Sequence, residues 1–155
     1  MKKLQSLNNP QQNLLILNLI DMTIDLEKYV EFVDGTTSEP SKEFTEFIDR
    51  MIKLNQEDFP TERLLTAAVG MSAEAGEFTE IVKKIVFQGK PINNENLFHL
   101  KRELGDIMWY VAQACIGLDI SLEEIVQMNF EKLSARYPEG TFSIERSENR
   151  VAGDL

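Results

Sequence analysis

Two stretches decide the fold, and they carry the same acidic spacing: residues 64–84, LLTAAVGMSAEAGEFTEIVKK, and residues 101–114, KRELGDIMWYVAQA. Apolar residues recur every three or four positions, which is the period of an amphipathic α-helix. Glu74 and Glu77 are three apart in the first stretch, and Glu103 and Asp106 in the second. Because residues three apart share a helix face, with about 5–6 Å between Cβ atoms, each pair can hold one ligand from one helix.

The chain between the two acidic pairs is long enough for a helical hairpin. It comprises the 25 residues 78–102, with the helix-stopping run Gln88-Gly89-Lys90-Pro91 inside it. Short connections favour antiparallel neighbours, so we expect the two pairs to face each other. Clustered carboxylates repel one another and lose hydration, and therefore favour cations. All-oxygen ligation suits Mg²⁺, with Mn²⁺ as a possible substitute.

Outward from this hairpin, the apolar period and the turn residues predict three further helices and no strand of useful length. The second helix is expected to have Ser41 as its N-cap, and the fifth to have Ser121, followed by Glu124 in a capping box. The predicted helices span residues 12–33, 41–54, 60–87, 93–117 and 121–136. The predicted fold class is therefore all-α, a bundle of four or five helices.

The predicted fourth helix has an apolar stripe and two adjacent aromatic residues. The stripe is expected to form the core, and it consists of Leu97, Leu100, Leu104, Ile107 or Met108, Val111, Cys115 and Leu118. Trp109 and Tyr110 either pack in the core or stack on a base. Gly70, Gly76 and Gly105 lie near the acidic pairs, and their small size indicates close approach of another helix or a ligand.

Composition limits the function classes. The chain has 26 acidic and 16 basic residues and a net charge of −10, which argues against nucleic-acid or anionic-membrane binding. Cys115 is the only cysteine, so no intramolecular disulfide is possible, and its apolar neighbours predict burial. No signal peptide or membrane span is recognisable. We therefore expect a cytoplasmic protein.

The spacing alone leaves two interpretations open. The four carboxylates either form a metal site or lie on solvated helix faces, where Glu-x-x-Glu pairs are also common. A ferritin-like di-iron bundle is excluded, because it needs a Glu-x-x-His motif on each of two helices. This chain has one histidine, His99, and the residue three before it is Asn96. His99 is expected to support the site or lie at the surface.

A third block, NFEKLSARYPEG at residues 129–140, follows the two acidic blocks in order. Together the three resemble the MazG-like all-α NTP pyrophosphohydrolases, and the resemblance covers about residues 44–142. The ending SENRVAGDL is similar to that of some short, phage-type members. The resemblance implies a MazG-like domain over residues 41–142, between an N-terminal helical extension, 1–40, and a polar tail without helical period, 143–155. It also implies hydrolysis of a (deoxy)nucleoside triphosphate to the monophosphate and pyrophosphate.

The resemblance also assigns roles to individual residues. It implies that Glu74, Glu77, Glu103 and Asp106 bind Mg²⁺, and that one glutamate positions or deprotonates the attacking water. The catalytic candidates are Glu77, which we select for this role, and Glu74. Asn129 and Lys132 match the family's Asn-x-x-Lys motif and Arg136 its following basic position, which implies contacts with phosphate. Lys83 and Lys84 are further phosphate candidates, with a solvated helix face as the alternative for at least one of them. Tyr110 is the candidate for base contact, and a homo-oligomer, dimer or dimer of dimers, is expected.

Two alternatives stay open. The first is hydrolysis of the alarmone ppGpp by the same chemistry, and the second is a non-catalytic helical bundle that binds another protein. Base and sugar preference do not follow from these motifs.

Overall fold

The computed structural model describes residues 24–149. Within this range it contains six α-helices, one short 3₁₀-helix and no strand, so the all-α prediction is confirmed. The helices are α1 (Leu26–Thr36), α2 (Phe44–Gln56), α3 (Thr61–Gln88), α4 (Asn94–Leu118), α5 (Leu122–Arg136) and α6 (Ile144–Glu148), and the 3₁₀-helix is Glu39–Ser41.

The chain divides into two compact units, residues 1–50 and 51–155. In the first unit, α1 begins after Asp25, whose carboxylate accepts the Lys28 N–H at 3.1 Å. The predicted first helix covered residues 12–33, of which 12–23 lie outside the described residues. Its predicted end was too early, because the helix continues to Thr36, whose hydroxyl donates to the Phe32 carbonyl at 2.8 Å.

The prediction that Ser41 is an N-cap was wrong. Ser41 is the last residue of the 3₁₀-helix, its N–H donates to the Ser38 carbonyl at 2.9 Å, and α2 begins only at Phe44. Pro40 lies at the start of this 3₁₀-helix, where its fixed φ and missing N–H are tolerated. A proline thus begins a short helix of its own here, and the sequence pattern did not separate that helix from α2.

In the second unit, α3 and α4 pack along their lengths as an antiparallel hairpin. The left-handed Gly89 (φ 71°) ends α3, and the Asn93 side chain caps α4 by accepting the Asn96 N–H at 2.9 Å. The described contacts run in opposite directions along the two helices, with Tyr110 over Gly70 and Gln113 beside Arg63. Among the elements described within residues 51–149, no other pair packs extensively.

The last two helices follow the hairpin. The Ser121 hydroxyl accepts the Glu124 N–H at 3.0 Å, as predicted for the cap of α5. The expectation that the tail has no helix was wrong for residues 144–148. There Ser143 caps α6 by accepting the Arg146 N–H at 3.4 Å. A helix of five residues is too short to show an apolar period.

Burial in this chain differs from the predicted core. Among the apolar residues of the described range only Ala67 and Cys115 are buried, so the prediction for Cys115 is confirmed. The expectation that the α4 stripe is core was wrong for Leu97, Leu104 and Leu118, whose exposures are 41%, 51% and 49%. Of the alternatives Ile107 and Met108, Ile107 is half-buried and Met108 is 52% exposed. The period shows which residues share a face but not what covers that face. Over residues 24–149, no helix has the length and hydropathy that crossing a membrane requires.

Candidate functional site

Three of the four predicted carboxylates converge where α3 faces α4. Glu74, Glu103 and Asp106 each offer a carboxylate oxygen, and these oxygens all lie within 4.8 Å of one another. Glu103 is buried, Glu74 is half-buried and Asp106 is exposed. The group is therefore fixed on one side by the helix packing and open on the other. Three hard oxygen donors at this spacing form a set that Mg²⁺ or Mn²⁺ can bind while keeping several waters.

Glu77 lies one turn further along α3 and is exposed. It does not belong to the group of three within 4.8 Å, but its negative charge acts on Glu74. The structure thus places the predicted quartet as a close group of three, with the fourth carboxylate near enough to Glu74 to act on it through its charge.

The electrostatics of Glu74 reflect this crowding. Its pKa is raised above the usual 4.5, first by desolvation and then by the charges of Glu77, Asp106 and Glu103. Each of these causes disfavours the ionised form. A bound cation would reverse the balance, because it stabilises the negative charge that the neighbours oppose. The residues therefore fit a divalent cation by both donor chemistry and charge.

The surface beside the carboxylates is open. A Cβ atom placed on Gly76 or on Gly105 would meet nothing within 4 Å. These glycines are the sequence neighbours of Glu77 and Asp106. Both glycines therefore lie at the surface of their helices.

At Gly70, in contrast, the position that a side chain would take is occupied by Tyr110. A Cβ atom there would overlap the ring of Tyr110, so the tyrosine packs directly over the α3 backbone. Of the two interpretations for Tyr110, the structure shows packing between the helices. Its predicted contact with a base stays a prediction.

Trp109 is 55% exposed, and its ring forms a T-shaped contact with that of Tyr110, with centroids 4.9 Å apart and an interplanar angle of 90°. It lines a pocket of about 250 Å³ together with Glu62, Arg63, Thr66 and Gln113. Arg63 donates from Nη1 to the Gln113 Oε1 at 2.6 Å, which links the two helices across this pocket.

The lysines predicted to bind phosphate are both paired within α3. Lys83 and Lys84 form ion pairs with Glu80, in the case of Lys84 at 3.1 Å. The hydrogen bonds that Lys83 and Lys84 donate to Glu80 in these ion pairs are the largest causes of its lowered pKa. A phosphate would have to compete with Glu80 for them, so their role stays a prediction.

The other phosphate candidates lie on α5. Asn129 lines a mostly apolar groove of about 430 Å³, with Phe130, Tyr137 and Phe142 among its walls. Lys132 and Arg136 follow three and seven residues later and therefore share a helix face with Asn129. In the described part of the second unit α5 is not packed extensively on the hairpin, so the structure does not bring this face to the carboxylates of the same chain.

Sequence reasoning missed the pocket beside Trp109. The signal available was spacing: Gln113 is seven residues from Asp106, and Thr66 is eleven from Glu77. These separations are close to two and three helical turns, and they put each residue on the face of its acidic partner.

His99 was expected to support the site or to lie at the surface. It is half-buried and contacts Phe98 edge-on, with ring centroids 6.1 Å apart.

Comparison with known proteins adds two findings. Residues 62–141 match the model of the MazG nucleotide pyrophosphohydrolase domain. The Gene 37 protein of Mycobacterium phage L5 is 42% identical over 80 residues, which are 51% of this chain and 70% of that protein. No solved structure matches the chain.

Proposed function

Because the chain belongs to the MazG nucleotide pyrophosphohydrolase domain family, we propose that it is a Mg²⁺-dependent pyrophosphohydrolase of nucleoside triphosphates. The reaction is (d)NTP plus water to (d)NMP plus pyrophosphate. The observation that carries this proposal is the convergence of Glu74, Glu103 and Asp106 within 4.8 Å at an open face of the hairpin.

The positions of the four carboxylates assign them two roles, metal binding and activation of the attacking water. Glu74, Glu103 and Asp106 would hold the Mg²⁺, with Glu77 able to join them. When bound, the ion neutralises phosphate charge and lowers the pKa of a coordinated water. Glu77 is exposed beside this group, where it can orient the attacking water and take its proton. The water oxygen forms a bond to the α-phosphorus, the bond to the bridging oxygen breaks, and pyrophosphate leaves.

We also infer that the working form is a homo-oligomer. Large apolar residues of the second unit, including Leu104, Met108 and Ile116, are half or more exposed in the single chain. A second copy would cover such surfaces. It could also supply the α5 residues Asn129 and Lys132 to the carboxylates of its neighbour. Light scattering is expected to show a dimer or tetramer, and a stable species of 17.8 kDa would contradict this.

The reaction is tested by measuring products from a panel of NTPs, dNTPs and ppGpp, with Mg²⁺, with Mn²⁺ and with chelator. Pyrophosphate and monophosphate in equal amounts, only with metal, are expected. Release of orthophosphate would mean that a different bond is cut. The absence of turnover with every substrate would favour the non-catalytic bundle, and turnover of ppGpp alone would favour the alarmone hydrolase.

A further inference from the structure

The contact between Tyr110 and Gly70 lies one helical turn from the carboxylates on both helices. Gly70 precedes Glu74 by four residues along α3, and Tyr110 follows Asp106 by four residues along α4. In an antiparallel hairpin, equal steps along the two helices keep the same register, because both helices rise about 1.5 Å per residue. The register that places the Tyr110 ring over Gly70 is therefore the one that brings the carboxylates together.

A contact at the other end of the hairpin has the same register. Arg63 precedes Gly70 by seven residues along α3, and Gly117 follows Tyr110 by seven along α4. A Cβ atom on Gly117 would lie 3.5 Å from Cβ and Cδ of Arg63, so the two helices are again in contact at this level. Three levels of the hairpin thus agree in register, and the carboxylates are the last of the three.

The middle level is the one that fixes this register. One turn before and one turn after Gly70, α3 carries the side chains of Thr66 and Glu74. A slide of α4 by one turn, about 5.4 Å, would bring the Tyr110 ring against one of these side chains. A glycine inside a helix costs about 1 kcal/mol relative to alanine, and at Gly70 the missing side chain admits the ring to the backbone. The ring therefore fits one register of α3 against α4.

The carboxylates depend on this register because they come from two helices. Glu74 lies on α3, whereas Glu103 and Asp106 lie on α4, so neither helix holds the group alone. Mg²⁺ requires oxygen ligands at about 2.0–2.1 Å in near-octahedral geometry. A slide or rotation of one helix by a fraction of a turn would separate oxygens that now lie within 4.8 Å of one another.

We propose that Tyr110 is a positioning residue for the metal site. Its ring, packed on Gly70, holds α3 and α4 in the register in which the three carboxylates bind one divalent cation. This inference rests on the proposed function, because it takes the carboxylates to bind Mg²⁺. Without the ring, only a fraction of the molecules has the correct register, and the affinity for the cation falls by that fraction. Once bound, the cation itself holds the carboxylates together, so kcat at saturating metal is retained.

The test measures the Mn²⁺ affinity of the full-length protein from the electron paramagnetic resonance signal of free Mn²⁺. Binding that is lost in Asp106→Asn defines the signal of this site. Tyr110→Leu removes the ring and is expected to weaken this binding about tenfold, as when one molecule in ten retains the register. Tyr110→Phe keeps the ring and should bind Mn²⁺ as the wild type does. The matched control is Phe98→Leu at a 60% exposed ring of α4, which should leave the affinity unchanged.

Far-UV circular dichroism at the same temperature restricts the comparison to folded proteins. A residue that only stabilises the fold would affect the unfolding temperature and leave the Mn²⁺ affinity of the folded protein unchanged. That result for Tyr110→Leu would overturn the proposal, as would an equal loss of affinity in Phe98→Leu. If Tyr110→Leu does not fold, Gly70→Ala, which displaces the ring, is compared with Gly76→Ala. Weaker Mn²⁺ binding in Gly70→Ala alone would support the proposal, and equal binding in the two would overturn it.

Mn²⁺ binding does not require hydrolysis, so the two proposals fail separately. Mn²⁺ binding that depends on the Tyr110 ring, without pyrophosphate release from any nucleotide, would support the positioning role and remove the proposed reaction. Metal-dependent pyrophosphate release together with an unchanged Mn²⁺ affinity in Tyr110→Leu would support the reaction and remove the positioning role.

Discussion

The α3–α4 hairpin contains two neighbouring levels with opposite physical character. At the level of Gly70 the helices approach so closely that the Tyr110 ring replaces a side chain on α3. At the level of Glu74, one turn away, three carboxylates share a small volume, and desolvation together with the charges of the neighbouring carboxylates raises the pKa of Glu74. The first level favours the folded state by close packing, and the second opposes it until a cation binds. Stability and function are therefore separable in this hairpin by single substitutions.

The largest expected effect comes from removing one charge at the acidic level. Asp106→Asn should lower kcat/KM by about 100-fold or more, since a metal supplies several kcal/mol of charge stabilisation in such reactions. The same change relieves repulsion, so the metal-free protein should unfold at the same or a higher temperature. Steady-state pyrophosphate release and thermal unfolding in chelator measure the two effects. An Asp106→Asn protein with unchanged Mg²⁺-dependent rates would refute the metal assignment.

A second prediction addresses the packed level. Gly70→Ala forces a methyl group into the Tyr110 ring and should destabilise the fold by about 1–3 kcal/mol. The matched control is Gly76→Ala, where a Cβ atom meets nothing within 4 Å. There the gain in helix propensity should stabilise the protein by about 0.5–1 kcal/mol. Denaturant unfolding without metal distinguishes them, and a tolerated Gly70→Ala would mean that Tyr110 moves away from α3.

The two levels also differ in how far the sequence predicts them. The acidic pairs were recognisable because Glu74 with Glu77 and Glu103 with Asp106 are local spacings on single helices. The contact of Tyr110 with Gly70 joins residues 40 positions apart in sequence and depends on the register between α3 and α4, which no local pattern encodes. Leu104 and Met108 show the same limit, since their period predicted a shared apolar face, while their burial depends on what packs against it.

A smaller effect is expected from pH in the absence of metal. The pKa of Glu74 is raised above 4.5 in the folded protein. Its contribution to stability is therefore present below about pH 4.5 and is lost as pH rises through the raised value. Glu74→Gln removes this dependence. The unfolding free energy of wild type relative to Glu74→Gln should thus fall as pH increases above 4.5. A constant difference across this range would show that the crowding does not oppose ionisation.

The smallest effect concerns the lysines further along α3. Glu80→Gln removes the partner of Lys83 and Lys84, but exposed ion pairs contribute only about 0–1 kcal/mol, so stability should change little. If the freed ammonium groups contact substrate phosphate, KM should fall about two- to threefold at unchanged kcat. Glu46→Gln, an exposed change in the first turn of α2, is the control and should leave KM unchanged. An unaltered KM in Glu80→Gln would assign both lysines to the solvated face of α3, and phosphate binding would then depend on the acidic level and on α5.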